Sequence, residues 1–202
     1  MGRVSTRDRL CREAVRLFAT NGFTETTVGD IEKAAGLQPR RGALYRHFGS
    51  KEALLVAAVE AHVASVEAVL ARIDAVPPDD LTADALAWGR WFLAELDAER
   101  NLFRILEQDG DRFPGLRDVI RERVVDAGHR RIGELIRQRH PAGGDTIDAE
   151  GLALLVIGPL VHHRRTTWTF GRPPVGVDDE RLLRAWSDAL PTLVDAASRG
   201  SR

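Results

Sequence analysis

Apolar side chains recur at intervals of three and four residues along most of the chain, which is the spacing of one face of an α-helix. Leu10 and Ala14 show this spacing near the start, and Leu190 and Leu193 show it near the end. After Pro78 there is neither the sustained alternation of a half-buried strand nor an Asn-Gly hairpin turn. The pattern therefore predicts an all-α protein of about nine helices.

Capping residues and breakers divide the first part of the chain into four predicted helices. Ser5 or Thr6 begins the first helix, and Thr27 precedes the second. Pro39 is placed to open the third, and Ser50 is a good N-cap for the fourth. The predicted helices cover residues 6–21, 28–35, 39–48 and 51–73, and the fourth extends for about 23 residues, or roughly 35 Å, toward Pro77-Pro78.

The second part is predicted to contain five further helices, and loops rich in Pro, Gly and Asp separate the last three from one another and from the two before them. They cover residues 82–98, 100–108, 116–139, 148–167 and 178–194. Pro159 cannot donate to the carbonyl of Leu155, so a bend is predicted there. Pro191 is predicted to shorten or kink the last helix.

The second and third predicted helices have the pattern of a helix-turn-helix. Thr27 and Asp30 can form a capping box, and Gly36 can take the left-handed backbone of a tight turn. Leu44 and Phe48 lie four residues apart and face inward. The more exposed positions, where arginine can read guanine edges and Tyr or His can donate to phosphate, are then Arg40, Arg41, Ala43, Tyr45, Arg46 and His47. A small three-helix packing unit with a solvated charged face is the alternative interpretation.

Charge is distributed unevenly along the chain, although its net value is only −1. Residues 1–51 hold eight Arg and two Lys against five acidic side chains, a net charge of +5, which leaves −6 for the remainder. A basic head on an acidic body is expected of a protein that binds a phosphate backbone through one end.

The N-terminal region resembles the TetR family of bacterial transcriptional repressors. The matching segments are AVRLF (14–18), NGF (21–23), TTV (26–28), AGL (35–37), GALYRHF (42–48) and SKE (50–52). Between Gly36 and Leu44 the chain is about two residues longer than the usual family turn, which places Arg40 and Arg41 at the start of the recognition helix.

The resemblance implies a helix-turn-helix DNA-binding domain at 1–50 and a helical effector-binding and dimerisation domain at 51–202. A homodimer would bind an inverted-repeat operator in double-stranded DNA and, as a repressor, would leave it when a small organic effector binds. The candidate DNA-binding residues are Thr27, Gln38, Arg40, Arg41, Tyr45, His47 and Lys51.

The same resemblance implies an effector cavity in the helical body, and such cavities are mostly apolar with a few polar groups. The candidate ligand-binding residues are Trp88, Trp91, Phe92, Phe103, His163 and Thr167. Core packing is the alternative for the aromatic side chains, and a dimer interface is the alternative for the polar ones.

The last two long helices carry more apolar surface than one protomer needs, which suits a four-helix interface with a second copy. The candidate interface residues are Leu152, Val156, Leu160, Trp186, Leu190 and Leu193.

Several kinds of chemistry are not indicated by the sequence. There is no nucleophile with a base, no metal cluster and no phosphate loop, so we expect neither an enzyme nor a cofactor. His162 and His163 are adjacent on a helix and point about 100° apart, which disfavours a shared metal ion. The single Cys11 excludes an intrachain disulfide, no secretory signal follows Met1, and the apolar run 152–161 is too short to span a bilayer. We therefore expect a cytoplasmic protein without a membrane partner.

Three other functions remain open at this point. The chain could be a transcriptional activator, or a regulator that responds to a partner protein. It could also be a small-molecule-binding or catalytic helical domain that carries a DNA-binding head.

Overall fold

The computed structural model describes residues 5–39, 41–73, 85–139 and 148–196, and the regular elements in these ranges are all helical. The all-α prediction is confirmed for this part of the chain. The helices are α1 (Thr6–Asn21), α2 (Val28–Ala34), α3 (Ala43–His47), α4 (Lys51–Ile73), α5 (Ala85–Asp109), α6 (Pro114–Ile120), α7 (Ala127–Arg139), α8 (Ala149–Phe170) and α9 (Asp179–Ala196). A π-helical segment, Arg121–Asp126, joins α6 to α7, and a short 3₁₀ turn, Pro174–Gly176, precedes α9.

The predicted helix starts are largely confirmed by the caps. The side chain of Ser5 accepts from the amide of Asp8, and that of Ser50 accepts from the amide of Ala53. Asp148 caps α8 and Asp178 caps α9 in the same way, through the amides of Gly151 and Arg181. Each cap satisfies a backbone donor that the helix itself leaves unpaired.

Two predicted boundaries in the second part of the chain are wrong. Residues 85–98 and 100–108 belong to one continuous helix, α5, because Glu99, the one residue between them, favours helix. The predicted helix at 116–139 begins earlier, since Pro114 takes the first helical position, where its missing amide costs nothing. The predicted start at Thr82 and the Pro77-Pro78 break lie outside the described residues.

The helices α8 and α9 continue through Pro159 and Pro191, so neither proline ends its helix. The predicted shortening of the last helix at Pro191 is therefore wrong. Packing explains its continuation, because Leu190 and Val194 are buried on either side of this proline and hold the last turn against the core.

The chain packs as two compact units. The first combines Met1–Glu67 with Glu99–Val124, and the second combines Ala68–Ala98 with Val125–Arg202. In the first unit α1, α2, α3 and the beginning of α4 share one apolar core with Leu102, Ile105, Ile120 and Val124. The boundary predicted between residues 50 and 51 stays a prediction.

Within the second unit, α5 and α9 approach closely at Gly89. A Cβ added there would lie 2.4 Å from Cδ2 of Leu183 and 3.2 Å from the ring of Trp186. Both side chains are buried, and the indole of Trp186 is held by a 2.8 Å hydrogen bond from its Nε1 to the carbonyl of Val156. Neither side chain can move away without disturbing the core.

Replacing Gly89 with alanine should therefore destabilise the second unit. Overpacking typically costs about 1–3 kcal/mol, which outweighs the gain of roughly 0.5–1 kcal/mol in helix propensity. Gly128 is the matched control, because it is also helical and a Cβ there meets nothing within 4 Å. Thermal unfolding should show a lower Tm for Gly89→Ala and an equal or higher Tm for Gly128→Ala; a rise for both would contradict the close approach.

Candidate nucleic-acid interface

The capping box at the start of α2 is confirmed. The hydroxyl of Thr27 accepts from the amide of Asp30 at 3.1 Å, and the carboxylate of Asp30 accepts from the amide of Thr27 at 3.1 Å. These bonds, the side-chain bond from Thr27 first among them, hold the pKa of Asp30 below its ordinary value. The resulting stabilisation is present near neutral pH and is lost only as pH falls through the lowered pKa.

A long turn separates α2 from α3 and begins at Gly36, which has the predicted left-handed backbone with φ of 70°. The amide of Gly36 donates to the carbonyl of Lys33, and the amide of Leu37 donates to the carbonyl of Glu32. This pair of bonds is a Schellman motif, so α2 ends sharply. Pro39 lies in the turn that follows.

The start of the recognition helix differs from the prediction. Gly42, with φ of 68°, is the N-cap, and α3 begins at Ala43 and not at Pro39. A left-handed N-cap favours glycine, because other residues pay a steric cost there. Arg41 therefore lies in the turn before α3, while Arg40 lies outside the described residues.

The short helix α3 has one buried and one exposed side. Leu44 and Phe48 are buried, as predicted, whereas Ala43 is also buried and does not belong to the exposed face. Tyr45 is 59% exposed, and Arg46 and His47 beside it are exposed as well. This side of α3 presents hydroxyl, guanidinium and imidazole groups to the solvent.

Five of the seven predicted DNA-contact residues lie in the turn or on exposed positions of the helix-turn-helix. These are Thr27, Gln38, Arg41, Tyr45 and His47. The hydroxyl of Thr27 also contacts Asp30, so its capping role is independent of DNA. Arg46 is exposed between Tyr45 and His47, as predicted for this face, although it is not among the seven candidate DNA-binding residues.

Lys51 has partners inside the protein, and its predicted phosphate contact stays a prediction. Its Nζ donates to the carbonyls of Phe23 and Thr26 at 2.8 and 2.9 Å and lies 4.3 Å from the ring centroid of Phe23. Burial lowers the pKa of this ammonium group, so its desolvation offsets part of the gain from these bonds. Lys51 therefore ties α4 to the segment between α1 and α2.

Glu32, a fully buried carboxylate in α2, is not among the predicted site residues. Its Oε1 accepts from the amide of Leu44 at 3.0 Å, at the start of α3. The only signal in the sequence is its position directly beside the buried Ile31, and glutamate is usually exposed in helices.

The second unit separates the predicted ligand-binding residues. Trp88 and Trp91 pack edge to face, with centroids 5.7 Å apart, in a cluster with Leu135 and Ile136, whereas Phe92 belongs to a different cluster with Leu183 and Trp186. Phe103 lies within the first unit. The structure thus does not bring this set together, and an effector site stays a prediction.

The polar ligand candidates on α8 already have internal partners. His163 is buried and its Nε2 lies 2.8 Å from the carbonyl of Val177. Thr167 donates to the carbonyl of His163 one turn earlier in the helix. Arg164 contacts both Asp97 and Asp179, so this region of α8 is joined to α5 and α9 by polar contacts.

Four of the six predicted interface residues lie in the protomer's own core: Val156, Leu160, Trp186 and Leu190. Side chains buried within one chain offer little surface to a second copy, so the burial of these four does not support the predicted interface, which stays a prediction. Leu152 and Leu193 are half-buried. The exposed apolar side chains of α8 are Leu154 and Leu155, at 59% and 55%.

Neither a metal site nor a membrane partner is expected from the sequence, and the structure bears on both expectations. Among the described residues, no three His, Cys, Asp or Glu side chains are placed to hold a metal ion. The segment Lys51–Ala71 of α4 is long and apolar enough to cross a bilayer, by length and composition only, and it is longer than the apolar run 152–161. The core helix of a soluble protein has the same composition, and Leu54, Leu55 and Val59 of α4 are buried in the first unit.

Comparison with known proteins also matches the N-terminal region to the TetR family. A family model described as bacterial regulatory proteins, tetR family, matches residues 10–58. The chain is 30% identical over 132 residues to MftR of Mycobacterium tuberculosis, whose name describes a transcriptional regulator of mycofactocin biosynthesis; this covers 61% of the chain and 66% of MftR. It is 37% identical over 82 residues to the HTH-type transcriptional regulator TcmR of Streptomyces glaucescens, which covers 41% of the chain and 34% of TcmR.

The chain spans at most 66% of the length of the curated relatives it matches. Its fold is that of SCO4454, a TetR-family transcriptional regulator from Streptomyces coelicolor. The two superpose with a TM-score of 0.68 at 16% identity, over 96% of each chain.

Proposed function

The chain belongs to the TetR family of bacterial regulatory proteins, and from this premise we propose that it is a DNA-binding transcriptional regulator that reads its operator with α3. One observation carries the proposal: Leu44 and Phe48 anchor α3 in the core, and Tyr45, Arg46 and His47 face solvent. This face offers donors suited to base edges and to phosphate oxygens.

Binding to DNA should depend strongly on salt. If each protomer of a dimer neutralises about three phosphates, log K should fall with log salt concentration at a slope of roughly −5. The measurement is fluorescence anisotropy with a duplex selected by the protein from a random library. A response that is flat between about 50 and 200 mM salt would contradict the proposal.

The operator is proposed to be an inverted repeat read by a homodimer, since a two-fold axis places two recognition helices on successive turns of the major groove. Leu154 and Leu155 on α8 support a dimer, because they are large apolar side chains that one protomer leaves exposed. The proposed interface is therefore the exposed face of α8, and not the side that packs against Trp186.

The regulator is further proposed to be a cytoplasmic repressor that a small organic effector releases from DNA. An effector acts only if it binds the DNA-competent and DNA-incompetent states unequally. The half-buried pair Trp88 and Trp91 supports an aromatic-lined site in the second unit. Quenching of tryptophan fluorescence by a compound that also weakens operator binding would test this; quenching without any change in operator binding would contradict it.

A further inference from the structure

A single buried residue, Glu32, both ends α2 and begins α3. Its backbone carbonyl accepts from the amide of Leu37 at 2.8 Å, which closes the last turn of α2. Its carboxylate accepts from the amide of Leu44 at 3.0 Å, which satisfies a free donor in the first turn of α3. Glu32 therefore contacts both ends of the turn, through its backbone at Leu37 and through its side chain at Leu44.

A carboxylate at this buried position is energetically less favourable than an apolar side chain of similar size. Glu32 is fully buried, and a buried charge is unfavourable unless it is hydrogen-bonded or paired. An apolar side chain beside Ile31 would fill the same space without that cost. The hydrogen bond to Leu44 is a contact that glutamate makes here and that an apolar residue could not make.

The helix α3 needs contacts from the rest of the protein to hold its conformation and its orientation. It spans only Ala43–His47, too short to be stable alone, and its N-cap Gly42 makes no side-chain capping bond. Leu44 and Phe48 fix the depth of α3 in the core through packing, which is not directional. The bond from the Leu44 amide is directional and fixes the angle of the helix at its N-terminal end.

We propose that Glu32 is a positioning residue for sequence-specific DNA recognition, which holds the start of α3 at the angle where Tyr45, Arg46 and His47 meet the bases. This inference rests on the proposed function. Base-edge hydrogen bonds fail when a helix tilts, whereas contacts to phosphate tolerate the change. Loss of the Glu32 bond therefore reduces specificity more than it reduces overall affinity for DNA.

Three variants separate the hydrogen bond from the volume of the side chain. Glu32→Ala removes both, Glu32→Met keeps most of the volume without the acceptor, and Glu32→Gln keeps an oxygen that can accept from Leu44. Ser5→Ala is the matched control, because it removes a cap of α1 that makes no bond to α3. The DNA probes are a duplex that the wild-type protein selects from a random library and a scrambled duplex of the same composition.

The Ala and Met variants are expected to bind the selected duplex about tenfold more weakly and the scrambled duplex less than about threefold more weakly. Glu32→Gln should recover most of the specificity, and Ser5→Ala should leave the ratio between the two duplexes unchanged. Equal losses on both duplexes, or wild-type specificity in a folded Met variant, would overturn the proposal. If the Ala variant does not fold, the comparison of Met with Gln decides the same question.

Hydrogen exchange at the Leu44 amide tests the positioning without DNA. Exchange should be faster in the Met variant than in the wild type and should be restored by Gln. If the protein selects no duplex, both the proposed function and the DNA role of Glu32 are overturned. Exchange at the Leu44 amide would still show, in that case, whether Glu32 holds α3 in place. Unchanged exchange in the Met variant overturns the positioning itself, whatever the DNA result.

Discussion

Trp186→Glu is expected to unfold the second unit, whereas Leu155→Glu is expected to dissociate a dimer whose protomers stay folded. Trp186 is 8% exposed and donates to the Val156 carbonyl, so a glutamate there loses a large packed ring and buries an unpaired charge. Losing the ring alone costs about 3–5 kcal/mol, and the buried charge adds to it. That sum approaches the whole stability of a typical domain.

Leu155 is 55% exposed, so glutamate there should change the stability of the protomer by no more than about 0.5 kcal/mol. At the centre of an interface the same change costs about 2 kcal/mol or more, or roughly a 30-fold weaker dimer. Light scattering gives the oligomeric state, and circular dichroism gives the fold.

Val175→Glu is the matched control for the dimer, because this apolar residue in the second unit is 95% exposed and lies outside α8. It should leave both the fold and the oligomeric state unchanged. A Leu155→Glu variant that remains an intact dimer would move the interface away from this face of α8. A folded, soluble Trp186→Glu variant would contradict the assignment of Trp186 to the protomer core.

Local signals in the sequence were sufficient to predict most helix ends. Ser5, Thr27 and Ser50 act as caps through atoms three residues away, so the information lies within one turn of sequence. The helix-turn-helix was predictable for the same reason, since Gly36 and the Leu44/Phe48 pair are local features. The continuous α5 was not predicted, because a weak periodicity between two apolar stripes resembles a loop.

Which side of α8 and of α9 is buried could not be predicted, because it depends on contacts between residues that are distant in sequence. Both Trp186 and Leu155 fit an apolar helical stripe, and only the packing of α8 against α9 shows which is buried and which is exposed. The start of α3 has a similar explanation. The amide of Leu44, its second residue, is satisfied by Glu32 on the preceding helix, and the N-cap Gly42 has no side chain, so no local capping side chain marks the boundary.

Lys51→Met is expected to destabilise the first unit while leaving the salt dependence of DNA binding unchanged. The variant keeps most of the apolar stem but leaves the carbonyls of Phe23 and Thr26 without their ammonium donor. Hydrogen bonds to charged groups contribute about 1.5–3 kcal/mol, and solvent screening of this half-buried ammonium group reduces the expected loss to roughly 1–2 kcal/mol.

Lys33→Met is the control for Lys51→Met, since Lys33 is an exposed lysine in the same unit and should have little effect on stability. Urea denaturation measures the loss of stability, and anisotropy titrations at several salt concentrations measure the slope. If Lys51 contacted phosphate, its removal would lower the magnitude of the slope by about one for each protomer. A reduced slope with unchanged stability would support the phosphate contact that the sequence predicts. An unchanged slope with lower stability would show that Lys51 acts inside the protein, where it holds the segment before α2 against α4.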